Sequence, residues 1–177
     1  MSVAANRYAR ALMDVLYPEA AESGLRQLQA FKALLDKQPE ARQFFKNPSL
    51  PMDRRQRMLK DISAALAFDK RVTNFVDLLV DKNRLGLLEE IIATYQKTLD
   101  DRLGIVRAHV TAAQSLDEAE RRELVSKLER VTGKQVRMEV SVDPSLIGGV
   151  VAEVGSTIYD GSVRQRLEAF RSRLTEE

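Results

Sequence analysis

The chain has no cysteine and no tryptophan, a single histidine, and only 6% aromatic residues in 177 positions. The absence of cysteine excludes disulfides and thiolate chemistry. With His109 alone, a His/Cys metal centre is excluded too, and only a carboxylate site would remain. Scarce aromatics leave the core to Leu, Val, Ile and Ala. A charge of one sign is also lacking: 28 Lys and Arg stand against 26 Asp and Glu, a net of +2. Neither side of Gly104 carries a strong excess. That balance argues against a dedicated nucleic-acid binder, whose basic residues are concentrated. No apolar run approaches the roughly 20 residues that span a bilayer. The opening MSVAANRYARALMDVL spreads its charges along its length, so no secretory signal is expected. The expectation is a soluble, intracellular protein that meets a membrane only through partners.

What is present is enough for an ordered core, with 44% hydrophobic and 31% charged residues. The first 104 residues show helical spacing punctuated by Pro, Asn and Asp. Helix one runs from about Val3 to Leu16 and stops before Pro18. Helix two carries Leu25, Leu28, Phe31 and Leu35, and ends at Gln38-Pro39. A short third helix holds Phe44 and Phe45, and NPSLP breaks it. Helix four carries Met58, Leu59, Ile62 and Leu66. Asp69 is placed to cap helix five, which carries Val72, Phe75, Val76 and Leu79. Helix six carries Leu88, Ile91, Ile92, Tyr95 and Leu99. Six helices on short links predict a bundle over residues 1–104.

At Gly104 the period changes from that of a helix to that of a strand. IVRAHVTAA sets Val106, Ala108, Val110 and Ala112 against Arg107, His109 and Thr111. Ser115 and Glu118 have capping-box spacing. The helix they would open turns Leu124, Leu128 and Val131 inward and ends at Gly133. QVRMEVSV alternates again, and two shorter strands follow at Val150–Val154 and Thr157–Tyr159. Ser162 would cap a last helix with Val163, Leu167, Phe170 and Leu174 inward. The fold class is therefore α+β: a helical bundle, then a small domain over 105–177 with a short-stranded sheet and two helices.

The stretch LIGGVVAEVGSTIYDGSVRQRLEAF invites a phosphate-loop reading. It lacks the second glycine, the lysine and the hydroxyl at the required spacing. Gly148 and Gly149 fit a sharp turn before a buried strand, and Gly155-Ser156 fits a hairpin. Asp143 precedes Pro and Asp160 precedes Gly, so turn chemistry accounts for both. With Glu153 on a wet strand face, no nucleophile, base or oxyanion donor converges on them, and no catalytic residue is expected. Arg54, Arg55, Arg57 and Lys60, and again Arg164, Arg166, Arg171 and Arg173, make basic helix faces diluted by Asp53, Asp61 and Glu168. An adaptor binding RNA or anionic lipid through these faces is the alternative reading.

Helix one has two apolar stripes where a bundle needs one. Ala5, Ala9, Leu12 and Leu16 form the first; Ala4, Tyr8, Ala11 and Val15 form the second. Helix five has a similar surplus in Leu78. Either the second stripe is exposed and marks a partner site for an amphipathic helix, or helix one is buried all round. Arg7, Arg10 and Asp14 speak against burial on every side.

Three stretches carry a family resemblance over essentially the whole chain: NRYARAL (Asn6–Leu12), FVDLLVDKNRLGLLEEIIATY (Phe75–Tyr95) and VDPSLIGGVVAEVGSTIYDGSVRQRLEAF (Val142–Phe170). They resemble the delta-subunit family of the F-type ATP synthases, whose mitochondrial counterpart is the oligomycin-sensitivity-conferring protein; Asn6 departs from that family's N-terminal pattern. In the last stretch Gly148, Gly149, Asp160, Gly161, Ser162 and Arg164 carry the signature, with a structural role implied. The resemblance implies a non-catalytic stator subunit without cofactor, at the cytoplasmic face of a bacterial plasma membrane. Its N-terminal domain would hold the N-terminal helix of an alpha subunit, and its C-terminal domain the b subunits of the peripheral stalk, so that proton flow drives ATP synthesis. It further implies that Tyr8, Ala11 and Val15 with Asn74, Phe75 and Leu78 line the alpha-helix groove, and the second stripe places Ala4 beside them.

Overall fold

The computed structural model describes residues 2–167 other than Pro48, Ser156 and Arg166. Its chain divides into two compact units, Met1–Leu99 and Asp100–Glu177. The first holds α1 (Val3–Leu16), α2 (Ala21–Lys37), α3 (Pro39–Lys46), α4 (Met52–Ala65), α5 (Lys70–Asp81) and, after a 3₁₀ turn at Leu85–Leu87, most of α6 (Leu88–Leu103). The last turn of α6 belongs to the second unit, where Asp100 accepts a 2.6 Å hydrogen bond from Arg107 Nε.

Local chemistry sets the helix ends. Ser2 caps α1, its hydroxyl accepting from the Ala5 N–H, and Asp69 caps α5 by accepting from the Arg71 N–H at 2.7 Å. α5 ends in a Schellman-type turn, with Asn83 at φ 53° and the Arg84 N–H donating to the Leu79 carbonyl. The core of the unit gathers Leu12, Met13 and Leu16 of α1 with Leu28 and Phe31 of α2, Phe45 of α3, Leu59 of α4, Val76 and Leu79 of α5 and Ile91 and Tyr95 of α6. The Tyr95 hydroxyl, buried with its ring, donates to the Ala21 carbonyl at 3.1 Å, so its burial leaves no unmet donor. Gly24 lies under the Leu16 side chain, where a methyl group would overlap Leu16 Cδ1.

The second unit is a four-stranded sheet in the order β2-β1-β3-β4, packed by α7 (Glu118–Thr132). β1 (Ile105–Ala112) pairs in parallel with β2 (Gln135–Val142) and antiparallel with β3 (Val150–Val154). β4 (Thr157–Asp160) closes a hairpin on β3, with Val154 opposite Thr157. The parallel pair needs a crossover, which α7 supplies. Ala108, Val110, Val136, Ala152 and Val154 meet Leu128 of α7, while His109, Glu139 and Glu153 face water. The fold is thus α+β.

Three expectations need correction. The capping box of α7 is Asp117 with Glu120, the two side chains and backbones bonding reciprocally at 2.8 and 2.9 Å, and Ser115 and Glu118 take no part in it. Val131 is 63% exposed because α7 rests on the sheet through Leu124, Val125 and Leu128 instead. Val163 and Leu167 are also exposed; Phe170 and Leu174 lie outside the described residues.

Candidate helix-binding groove

α5 runs back along α1. At one end the Arg71 guanidinium donates to the Val15 carbonyl at 3.3 Å, and in the middle the Tyr8 and Phe75 rings meet edge to face at 6.3 Å. The contact with the Val15 carbonyl meets a bare acceptor in the last turn of α1, which has no basic residue of its own there. Arg71 is itself held by Asp69 through Nε and an ion pair of 2.9 Å. Hydrogen bonds from the Arg71 side chain, then from its backbone N–H, keep the Asp69 carboxyl below its ordinary value of 3.8.

Between the two helices lies an open cleft of about 470 Å³, lined by Arg7, Tyr8, Ala11, Leu12, Val15, Arg71, Asn74, Phe75 and Leu78. The structure therefore brings together six residues that the sequence singles out: Tyr8, Ala11 and Val15 of α1, and Asn74, Phe75 and Leu78 of α5. Ala4, one turn before Tyr8, is half-buried and does not line the cleft. The two stripes of α1 separate cleanly. Ala5, Ala9, Leu12 and Leu16 are buried, whereas Val15 is 54% exposed and Ala11 is exposed. On α5, Phe75 is nearly buried at 8%, and Leu78 stands out at 43%. The floor is thus two aromatic rings, Tyr8 and Phe75, and aliphatic side chains, with a small residue, Ala11, leaving room for another backbone to approach. Arg7, Leu12 and Arg71 complete the lining. Arg71 was legible in principle, since it lies four residues before Phe75 on the same helical stripe.

The C-terminal signature residues form a backbone junction. The Val163 N–H donates to the Gly148 carbonyl at 3.0 Å and the Gly161 N–H to the Val150 carbonyl at 2.9 Å. Gly149 has φ 83°, and a methyl group there would strike the Gly161 carbonyl oxygen and come within 3.0 Å of Ser162 Cα. Asp160 accepts from the Ser162 N–H at 2.8 Å, and hydrogen bonds from the Ser162 side chain, then from its backbone N–H, lower the Asp160 carboxyl pKa; the Ser162 hydroxyl accepts from the Gln165 N–H at 3.2 Å. Asp143 similarly accepts from the Ser145 N–H. These carboxylates are engaged in turns and do not converge. Arg164 is exposed, and Arg166, Arg171 and Arg173 lie outside the described residues. On α4, Arg57 is paired with Asp53 at 3.4 Å.

Fold and cleft together define a class: an α+β protein whose helical unit keeps an apolar cleft open to solvent. The chain belongs to the ATP synthase delta (OSCP) subunit family, whose profile matches residues 4–174. It is 37% identical to the ATP synthase subunit delta of Anaeromyxobacter sp. (strain Fw109-5), over 98% of each chain. It is 40% identical to that of Myxococcus xanthus (strain DK1622), over 96% of this chain and 95% of the other. A chain in the cryo-EM structure of the Toxoplasma gondii mitochondrial ATP synthase hexamer shares the fold, with a TM-score of 0.66 at 23% identity and coverage of 99% and 98%. The protein is accordingly a non-catalytic, structural subunit of the F-type ATP synthase stator, serving ATP synthesis and ion transport. No helix among the described residues is long and apolar enough to cross a membrane.

Proposed function

We propose that the α1–α5 groove receives the N-terminal helix of an alpha subunit, while residues 105–177 hold the b subunits of the peripheral stalk. The subunit would then tie the catalytic head to the stalk at the cytoplasmic face of a bacterial plasma membrane, with residues 1–104 as the head-binding domain and membrane association only through partners. Held in this way, the head cannot turn with the rotor, and proton translocation is coupled to synthesis. The observation that carries the reading is the second stripe of α1, whose Ala11 and Val15 stay exposed beside Phe75 and Leu78 although the core beneath them is complete. An amphipathic helix laid on it would bury that surface without any chemistry. A joint that bears torque calls for nanomolar affinity or better, about −12 kcal/mol.

Ala11→Asp tests the groove. Ala11 is exposed in the free protein, so the melting temperature should stay unchanged. A carboxylate pressed under an apolar helix should weaken binding of an alpha N-terminal peptide by about a hundredfold or more in calorimetry. Unchanged affinity would remove the groove from the binding site.

A further inference from the structure

The cleft is apolar in its floor. Among the described residues, the charged ones that line it are Arg7 and Arg71, with no carboxylate between them. At the far end, Lys82, the residue that follows α5, continues the spacing of Phe75 and Leu78. Two of these cations already have partners, since Arg71 is held by Asp69 at 2.9 Å and Lys82 by Asp81 at 2.9 Å. Arg7 differs. Among the described residues no carboxylate lies within ion-pair distance of it. It sits one position before Tyr8 and four before Ala11, on the shoulder of the stripe and not in it.

We propose that Arg7 selects the occupant of the groove: an amphipathic helix with a carboxylate beside its apolar ridge, placed to pair with the Arg7 guanidinium. The inference rests on the reading of the cleft as a helix site and specifies the chemistry of the partner. An apolar ridge alone would slide along two smooth helices. One free guanidinium at a set height on α1 supplies a register mark and turns away helices flanked by lysine at that point, because an unpaired like-charge contact at an interface is costly. Arg71 lies about two turns, or ~12 Å, further along, beside Val15. Its charge is already met by Asp69, so it shapes that end of the cleft more than it discriminates.

The test uses the full chain and two synthetic helices that share one Leu/Ile ridge at i, i+3, i+4 and i+7. One has glutamate on both flanks of the ridge and the other glutamine. Calorimetry at low salt should show the glutamate helix bound about three- to tenfold tighter, with the margin shrinking as salt is raised. Arg7→Gln should abolish the margin between the two helices, whatever it does to the affinity they share; Arg71→Gln should abolish little of it. Arg7→Glu should prefer a lysine-flanked third helix. Arg7 is exposed, so melting curves should match the parent. Equal affinities for the two helices on the unaltered protein, or a margin that survives Arg7→Gln, would overturn the assignment to Arg7 while the groove stands. Failure of every helix to bind would overturn the groove reading with it.

Discussion

Gly149 holds the C-terminal junction by what it lacks. Its φ of 83° is open to glycine at little cost, and the backbone of Gly161 and Ser162 occupies the space a side chain would need. Gly149→Ala should therefore lower stability by roughly 2–4 kcal/mol, left-handed strain and overlap adding together. A urea melt followed through the β-sheet signal measures this, and a loss under 0.5 kcal/mol would contradict the close approach. The same single-residue logic separates the two glycines of the pair. At Gly148 an added methyl would meet only the Val163 side chain, at 3.1 Å, which can yield.

At the scale of the element, α5 depends on its cap. Asp69 closes the first turn and holds Arg71, which reaches across to α1. Replacing it with Ala should cost about 1 kcal/mol at pH 7. The pH dependence has a definite sign. Hydrogen bonds from Arg71 lower the folded-state pKa of Asp69 below 3.8, so its contribution is complete above the unfolded value and is lost as pH falls through the folded one. The deficit of Asp69→Ala relative to the parent should thus narrow as pH falls below the unfolded value of about 4 in paired denaturant melts. A deficit that grew on acidification would be inconsistent with an ionised cap. Asp69→Asn, which still caps but cannot pair with Arg71, should fall between the two.

For the whole molecule, most buried apolar residues among those described fall into two clusters, one including Leu28, Phe31 and Tyr95 and the other Val110, Ala152 and Leu128. Leu28→Ala removes a fully buried side chain and should cost about 2–5 kcal/mol in the first unit. Native-state hydrogen exchange should show the loss at the amides of α1, α2 and α6, with those of β1 unmoved. An equal loss of protection in β1 would mean the two cores unfold as one.

How much of this was legible in advance follows from the reach of each force. Helix period, the change to strand period at Gly104, the Asp69 cap and the left-handed Gly133 depend on neighbours within about four residues, and the chain states them directly. So does the surplus stripe of α1, a matter of spacing alone. The capping box of α7 was misplaced by two residues because Ser115, Asp117, Glu118 and Glu120 offer overlapping versions of the same pattern, and local sequence ranks them poorly. Val131 follows the helical period yet points to water, because α7 rests on the sheet through Leu124, Val125 and Leu128. Only tertiary structure could decide which helix lies beside α1, that Arg71 and Val15 meet across 56 positions, and that no carboxylate among the described residues reaches Arg7. Those outcomes arise from packing between distant segments, where the burial of one apolar stripe determines which surface remains for the other.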